Sequence, residues 1–395
     1  MKSAAKVSSA SLVVTALAVA LTIGGSTSRA RATVRTAALT PASFTNDFSA
    51  MATLKPLAKK GKGNVAVLLP DTQSSARYVS FDAPYLTQAF QAAGLSSGQF
   101  QVQNAQGSTQ TMQTQAEAAI TNGATVLVID PLDSGSGAAI EANAVQQGVK
   151  VIDYDRLTLN GKASYYVSFN NVTVGKLLGK GLVDCVASWN VAKPQVLEMD
   201  GDPTDNNATQ FAQGYNSVLN PKYKSKTFVK VGEPAGTWDS AKALTNFEQQ
   251  FTAHPNINAV LAANDGIGNS VISSLKNNQI PAKKVPTTGQ DATLVGLQNI
   301  LSDYQCMTVY KPVYTEAQAA AAVAMYLRAG QKPPSSLVNA KTNNKVTNVP
   351  SVYLTPVSVN TQNMNATVIK DKFVSPSDLC AGSFAASCTA AGIQP

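Results

Sequence analysis

The chain has 395 residues, 44% hydrophobic and 14% charged, with a formal net charge of +8. Four of those charges belong to Lys2, Lys6, Arg29 and Arg31, and eight less those four leaves +4 on the rest. The one dense basic run, Lys59-Lys60-Gly61-Lys62, carries no interleaved aromatics, which argues against nucleic-acid binding.

Lys2 and Lys6 precede an apolar run, Leu12–Ile23, that is too short to span a bilayer. Ala30-Arg31-Ala32 then supplies an A-x-A cleavage site, so residues 1–32 are predicted to be a signal peptide. No cysteine lies near that site for a lipid anchor, and the mature product is expected to be an exported, soluble protein. Residues 33–62, rich in Ala, Thr and Lys, are expected to form a linker with one short helix.

From Asn64 the chain alternates strand and helix. Val65–Leu69 reads as a buried strand, and Tyr78–Ala93 carries Phe81, Tyr85, Leu86, Ala89 and Phe90 at helical spacing. Phe100–Gln103 (strand), Thr109–Asn122 (helix), Thr125–Ile129 (strand), Ser136–Gln147 (helix) and Val149–Tyr154 (strand) follow. A second series begins with helix Val172–Ala187, strand Gln195–Met199, helix Ala208–Leu219 and strand Thr227–Val231. Helix Ser240–Ala253, strand Ala259–Ala263, helix Ile267–Asn277 and strand Val285–Gly289 continue it. Helix Leu294–Leu301 and strand Met307–Tyr310 close it, and Ala317–Met325, too short for a membrane span, reads as a packed helix. Continuous apolar strands between amphipathic helices imply parallel sheets covered on both faces, and so many units imply two α/β domains.

Export permits disulfides. Cys380 and Cys388 close a short loop and are predicted to pair, whereas Cys185 and Cys306 fit either a bridge or two buried thiols. No C-x-x-C pair exists, and the lone His254 falls in a helix-to-strand turn, so zinc chemistry and a Ser-His-Asp triad are disfavoured. Neither G-x-G-x-x-G nor G-x-x-x-x-G-K-[ST] is present, which turns the reading from enzyme towards binder, with no cofactor implied.

The chemistry gathers at strand ends. Asp155-Arg156 closes Val149–Tyr154, and similar polar groups stand at Asp205-Asn206-Asn207, Asn264-Asp265, Gln290-Asp291 and Tyr310-Lys311. Ligands of open α/β sheets bind beyond the carboxyl ends of strands. Carboxylates accept, Arg and Lys donate and Asn does both, a set that suits a polyhydroxylated ligand whose hydroxyls do both. Each residue has a plainer explanation: Asp155 and Asp291 as solvated acids, Asn207 as a helix cap, Lys311 as a loop cation. Tyr78 and Tyr310 read as packing groups.

Together Ala76-Arg77-Tyr78, Asp153–Arg156, Ser168–Asn171, Gly201–Ala208, Asn264-Asp265, Gly289–Ala292, Met307–Pro312, Leu354-Thr355-Pro356 and Thr367–Asp371 resemble the sugar-binding periplasmic-type proteins of ABC importers, in particular their xylose-binding members. The resemblance spans roughly Asn64 to Phe373. It implies a type I periplasmic binding protein fold: two Rossmann-like lobes with parallel sheets, joined by three crossovers, with the ligand between them. It further implies a first lobe of residues 63–169 plus 312–345, a second of 170–311 plus 346–373, and a C-terminal tail of 374–395.

By the same resemblance Arg77, Asp155 and Arg156 would bind sugar hydroxyls from the first lobe and Asp205 and Asn207 from the second. Asn264, Asp291 and Lys311 would complete the polar ring, and Trp238 would stack on the pyranose. Asn170 stands where many relatives carry Asp and is not assigned. The implied function is capture of a monosaccharide, foremost D-xylose, by a monomeric, periplasmic or secreted protein that delivers it to an ABC permease and touches the membrane only there. Rivals are the same role for glucose, galactose or arabinose, a sugar-sensing regulator, or a secreted hydrolase using Asp155 with Asp291.

Overall fold

A computed structural model describes residues 39–394, and the expected signal peptide lies outside them. In chain order the elements begin α1 (Lys55–Lys60), β1 (Asn64–Leu69), α2 (Ala83–Ala92), β2 (Phe100–Asn104), α3 (Thr109–Thr121) and β3 (Ala124–Ile129). They continue α4 (Ser134–Gln146), β4 (Lys150–Tyr154), β5 (Tyr165–Phe169), α5 (Asn171–Ser188), β6 (Gln195–Met199), α6 (Asn206–Lys224) and β7 (Val229–Gly232). Then come α7 (Ser240–Ala253), β8 (Ala259–Ala262), α8 (Asp265–Asn277), α9 (Leu294–Leu301), β9 (Thr308–Tyr310) and α10 (Val313–Arg328). Strands β10 (Ala340–Asn343), β11 (Asn348–Leu354) and β12 (Val357–Val359) and helices α11 (Pro376–Leu379) and α12 (Ala385–Ala390) complete the chain. Among the described residues no helix is long and apolar enough to cross a membrane.

The first sheet has the order β10-β11-β5-β4-β3-β1-β2, parallel throughout except for β10. Its strands alternate side chains between two cores, as the period of two dictates. Val65, Val67 and Leu69 face α2 and α10, while Ala66 and Leu68 face α3 and α4. With both faces covered, the strands need no polar positions, which explains their continuous apolar runs.

The second sheet is built from β7-β6-β8 and from β9 paired with β12, joined through single bridges at Thr287 and Gln290. The expected strand Val285–Gly289 is therefore no regular strand. Pro286 has no N–H to donate, and the Thr288 hydroxyl, not its backbone, both donates to and accepts from the Ala262 backbone. Helices α5 and α6 cover one face in backbone contact. A Cβ on Gly175 would lie 2.1 Å from the Phe211 carbonyl oxygen, so only glycine permits the approach.

Further expectations are corrected. Residues 39–62 are no linker: Leu39, Phe44, Phe48, Met51, Leu54 and Ala58 are buried in the first core, with sparse aromatics doing the packing. The segment Tyr78–Asp82 is a π-turn preceding α2, because Pro84 cannot supply the hydrogen bond that an α-helix would need there. Strand β5, absent from the sequence reading, is buried between β4 and β11. β11 pairs with β5 in parallel, so this stretch of residues 346–373 belongs to the first sheet and the chain changes sheet after Leu354. The described part of the tail, residues 374–394, packs Leu379, Cys388 and Ile393 into a core with Leu297, Tyr310 and Phe373.

Both cysteine pairs are disulfides, Cys380–Cys388 as expected and Cys185–Cys306 resolving the open alternative. The second ties α5 to the approach of β9 across a sequence separation of 121 residues. A long closed loop restricts the unfolded chain strongly. Cys185→Ala with Cys306→Ala is expected to lower unfolding free energy by about 2–4 kcal/mol in urea titration. A change within a few tenths would refute a stabilising role for this bond.

Candidate ligand-binding site

All nine residues expected at the site line one small space between the carboxyl ends of the two sheets. Asp155, directly after β4, has the left-handed φ of 56°. Three donors fix its carbonyl oxygen: the Tyr166 hydroxyl at 2.9 Å, the Ser168 hydroxyl at 2.8 Å and the Asn207 amide at 3.1 Å. That turn aims the Asp155 carboxylate at Arg77 Nη1 (2.7 Å) and at the Tyr78 hydroxyl, which donates at 3.1 Å. Tyr78 is therefore part of the site and not only a packing group.

Arg77 is more committed than the sequence suggests. Its Nε and Nη2 grip Asp82 at 2.8 and 2.6 Å, and Nη2 also donates to Glu316 at 2.6 Å. Four of the five N–H donors are then engaged with protein, leaving one of Nη1 for a ligand. Asp82 and Glu316 were invisible in the sequence reading because both sit on helical turns that resemble solvated faces.

Arg156 stands 3.2 Å from Asp205 and 3.6 Å from Asp130, with Nη2 donating to the Ser74 hydroxyl at 3.1 Å. Asp205 caps α6, accepting from the Asn207 amide N–H at 2.9 Å, and its other oxygen accepts from Trp238 Nε1 at 3.1 Å. The cap is thus Asp205, and Asn207 instead bridges Asn171 to the Asp155 carbonyl. Trp238 lies so close to Gly201 that a Cβ there would meet the indole ring at 2.1 Å. Asn170 caps α5 by accepting from Thr173 N, a structural role.

From the second sheet Asn264 caps α8 and donates to the Ser74 carbonyl at 3.1 Å, while Asp291 accepts from the Ser75 hydroxyl at 2.7 Å. Lys311 lies 3.5 Å from Asp155 and 3.4 Å from Asp291. Ser74, Ser75 and Phe211 join the lining without having been foreseen, and Gln290, one of the strand-end polar residues, joins it too. Among the described residues, Asp291 Oδ1 and Gln290 Oε1 are buried acceptors with no hydrogen-bond partner. Such acceptors call for hydroxyl donors from a ligand.

The charges are tuned by one another. Burial pushes the Asp155 carboxyl up, but Arg77, Lys311 and Arg156 outweigh it and hold the group well below the usual carboxylate range. Burial raises Glu316 to about 8 despite Arg77, with the Asp155 and Asp82 charges adding to the rise. Desolvation favours an uncharged Lys311, yet Asp155 and Asp291 keep it protonated. The ring therefore presents a firm carboxylate beside firm cations.

A model described as periplasmic binding protein domain matches residues 65–332. The chain is 39% identical over 280 residues to the D-xylose-binding periplasmic protein of Escherichia coli (strain K12), covering 70% of this chain and 82% of that one. It is 32% identical over 331 residues to the multiple sugar-binding periplasmic receptor ChvE of Rhizobium radiobacter, covering 80% and 92%. Among solved structures, a carbohydrate transporter solute binding protein from Chloroflexus aurantiacus in complex with D-glucose superposes with a TM-score of 0.72. It is 30% identical, with 80% of this chain and 97% of that one covered.

A carboxyl whose proton is held more tightly in the folded state stabilises the fold below its unfolded pKa and loses that contribution as pH rises. For Glu316 the window runs from its ordinary value of 4.5 to about 8. Wild-type unfolding free energy should fall across this range, and Glu316→Gln, which mimics the protonated form, should fall less. Equal slopes in urea unfolding at several pH values would overturn the assignment.

Proposed function

The chain belongs to the periplasmic binding protein family, as a sugar-binding protein of the ABC-transporter kind and not an enzyme, and we propose that its ligand is an aldopentose, D-xylose before others. The observation that carries this reading is the closed polar ring, in which Gln290 Oε1 has no hydrogen-bond partner and Asp291 Oδ1 has only the 3.4 Å ion pair with Lys311. A pentopyranose offers four hydroxyls and a ring oxygen, enough to meet the ring without leaving its groups unpaired. The identity to the D-xylose-binding relative supports the pentose in particular.

The proposed mechanism is closure of the two lobes over the sugar. Ser75–Asp291, Asn264–Ser74, Arg156–Asp205 and Lys311–Asp155 all run from the first sheet's loops to the second's. A ligand inserted among them adds bonds to both sides and so favours the closed form over the open one. The closed surface would be what an ABC permease reads, on the extracytoplasmic side of the membrane, with the protein acting as a monomer. A hexose is the second reading, favoured by the glucose bound in the Chloroflexus relative.

Thermal unfolding against D-xylose, L-arabinose, D-ribose, D-glucose and D-galactose tests the choice. Saturation at about a hundred times the dissociation constant adds about 2.7 kcal/mol of stability. The largest shift is expected with D-xylose; a larger one with a hexose would keep the family and replace the substrate. Asp291→Ala should weaken sugar binding by about 2 kcal/mol or more with the fold retained, since it removes a charged partner from a buried site. Unchanged affinity in that variant would refute the site.

A further inference from the structure

Asp130, directly after β3, is fully buried, and among the described residues neither of its carboxylate oxygens has a hydrogen-bond partner. It does not line the ligand space, and the cap of the helix that follows is Asp133. Its backbone is fixed, since its N–H donates to the Leu68 carbonyl at 2.9 Å. Among the described residues the one cation within ion-pair distance is Arg156, whose Nε stands 3.6 Å away. The same Nε stands 3.2 Å from Asp205, across the cleft, and makes a hydrogen bond to neither acid. One donor thus lies between two carboxylates, one from each lobe. We propose that Asp130 is the resting partner of Arg156: with no sugar bound and the lobes apart, Arg156 Nε pairs with Asp130, and closure over the sugar transfers it towards Asp205. The proposal rests on the lobe-closure reading above.

The rest of the Arg156 guanidinium is held by the first lobe alone. Nη1 donates to the Pro131 carbonyl at 3.3 Å and Nη2 to the Ser74 hydroxyl at 3.1 Å, with the Tyr78 ring centre 5.5 Å from the guanidinium carbon. These contacts keep the side chain on its own lobe when the other swings away. Asp205, for its part, retains the Asn207 N–H and Trp238 Nε1 as donors. Opening therefore strands the guanidinium and not the acid, and a cation so stranded calls for another carboxylate. Asp130 is the one at hand, and bringing Nε from 3.6 Å to hydrogen-bond distance takes a shift of about 0.7 Å. In the closed arrangement burial pushes the Asp130 carboxyl up, and the charges of Asp155 and Asp82 add to the rise against Arg156 and Arg77. An acid left unbonded with the cleft shut adds to the cost of closing and is satisfied only by opening.

The test is calorimetric titration of wild type, Asp130→Asn and Asp130→Ala with D-xylose and with D-glucose. Loss of the resting anion destabilises the open form more than the closed one, which shifts the population towards closure. Both variants should therefore bind the sugar that wild type binds at least about threefold more tightly, with slower release. A residue that merely supported the closed site would give weaker binding when replaced, and a bystander would give no change. Either result overturns the resting partner and leaves the closure reading standing, whereas a wild type that binds neither sugar overturns both. A sugar-free crystal structure of wild type checks the contact without any substitution, should the variants fold poorly. Arg156 Nε within about 3.2 Å of Asp130 in an opened cleft is expected. Arg156 still facing Asp205, or turned to solvent, would overturn the proposal.

Discussion

One guanidinium organises the site. Arg77 is buried among Asp82, Asp155 and Glu316 and meets all three carboxyl groups at 2.6–2.7 Å. Burying one cation among three acids is tolerable only if an acid keeps its proton, and Glu316 is the one raised to about 8. With that proton in place, Asp155 remains ionised and is held towards the ligand space. Removing one partner from such a group strands buried charge, which in comparable networks costs about 3–5 kcal/mol. The network therefore ties the π-turn before α2, the end of β4 and the start of α10 into one unit, and the ligand meets only its last free edge.

From the other sheet come Lys311 and Asp291, which extend this alternation of charge across the cleft. The long separations of Lys311, 3.5 and 3.4 Å, contrast with the 2.7 Å contact of Arg77 on Asp155. The ion pairs that cross the cleft, those of Lys311 and the 3.2 Å pair of Arg156 with Asp205, are longer than those of Arg77 within the first side, while the Ser75–Asp291 bond that also crosses is 2.7 Å.

Much of this was legible in the sequence. Parallel strands covered on both faces, such as Val65–Leu69 and Thr125–Ile129, announce themselves as unbroken apolar runs, and polar residues at their carboxyl ends mark the site. All nine expected residues do meet in one space. Their division of labour was not legible. Arg77 and Asn207 spend most of their hydrogen bonds on protein, and whether a donor is already committed depends on residues far away in the chain, here Glu316 and Asn171. Ser74 and Ser75 carry no periodic signal because loops have none. Strand β5 carries two tyrosines and a serine in Tyr165–Phe169 and so no unbroken apolar run, and the hydroxyls of Tyr166 and Ser168 are satisfied internally by the Asp155 carbonyl. The segment from Leu39 to Ala58 was missed because its few apolar residues follow short turns and not one long helical stripe.

Asp155 and Asp291 share a backbone oddity: both have positive φ, 56° and 96°, where an L-residue other than glycine is disfavoured. Each position carries a standing penalty of about 1–2 kcal/mol whether or not a ligand is present. Replacing either acid by glycine would relieve that penalty but take a buried acid partner from Arg77 or Lys311, which costs more, about 3–5 kcal/mol. A breeding experiment that rewarded heat resistance alone would therefore keep both acids, so durability and capture pull in the same direction at these two residues.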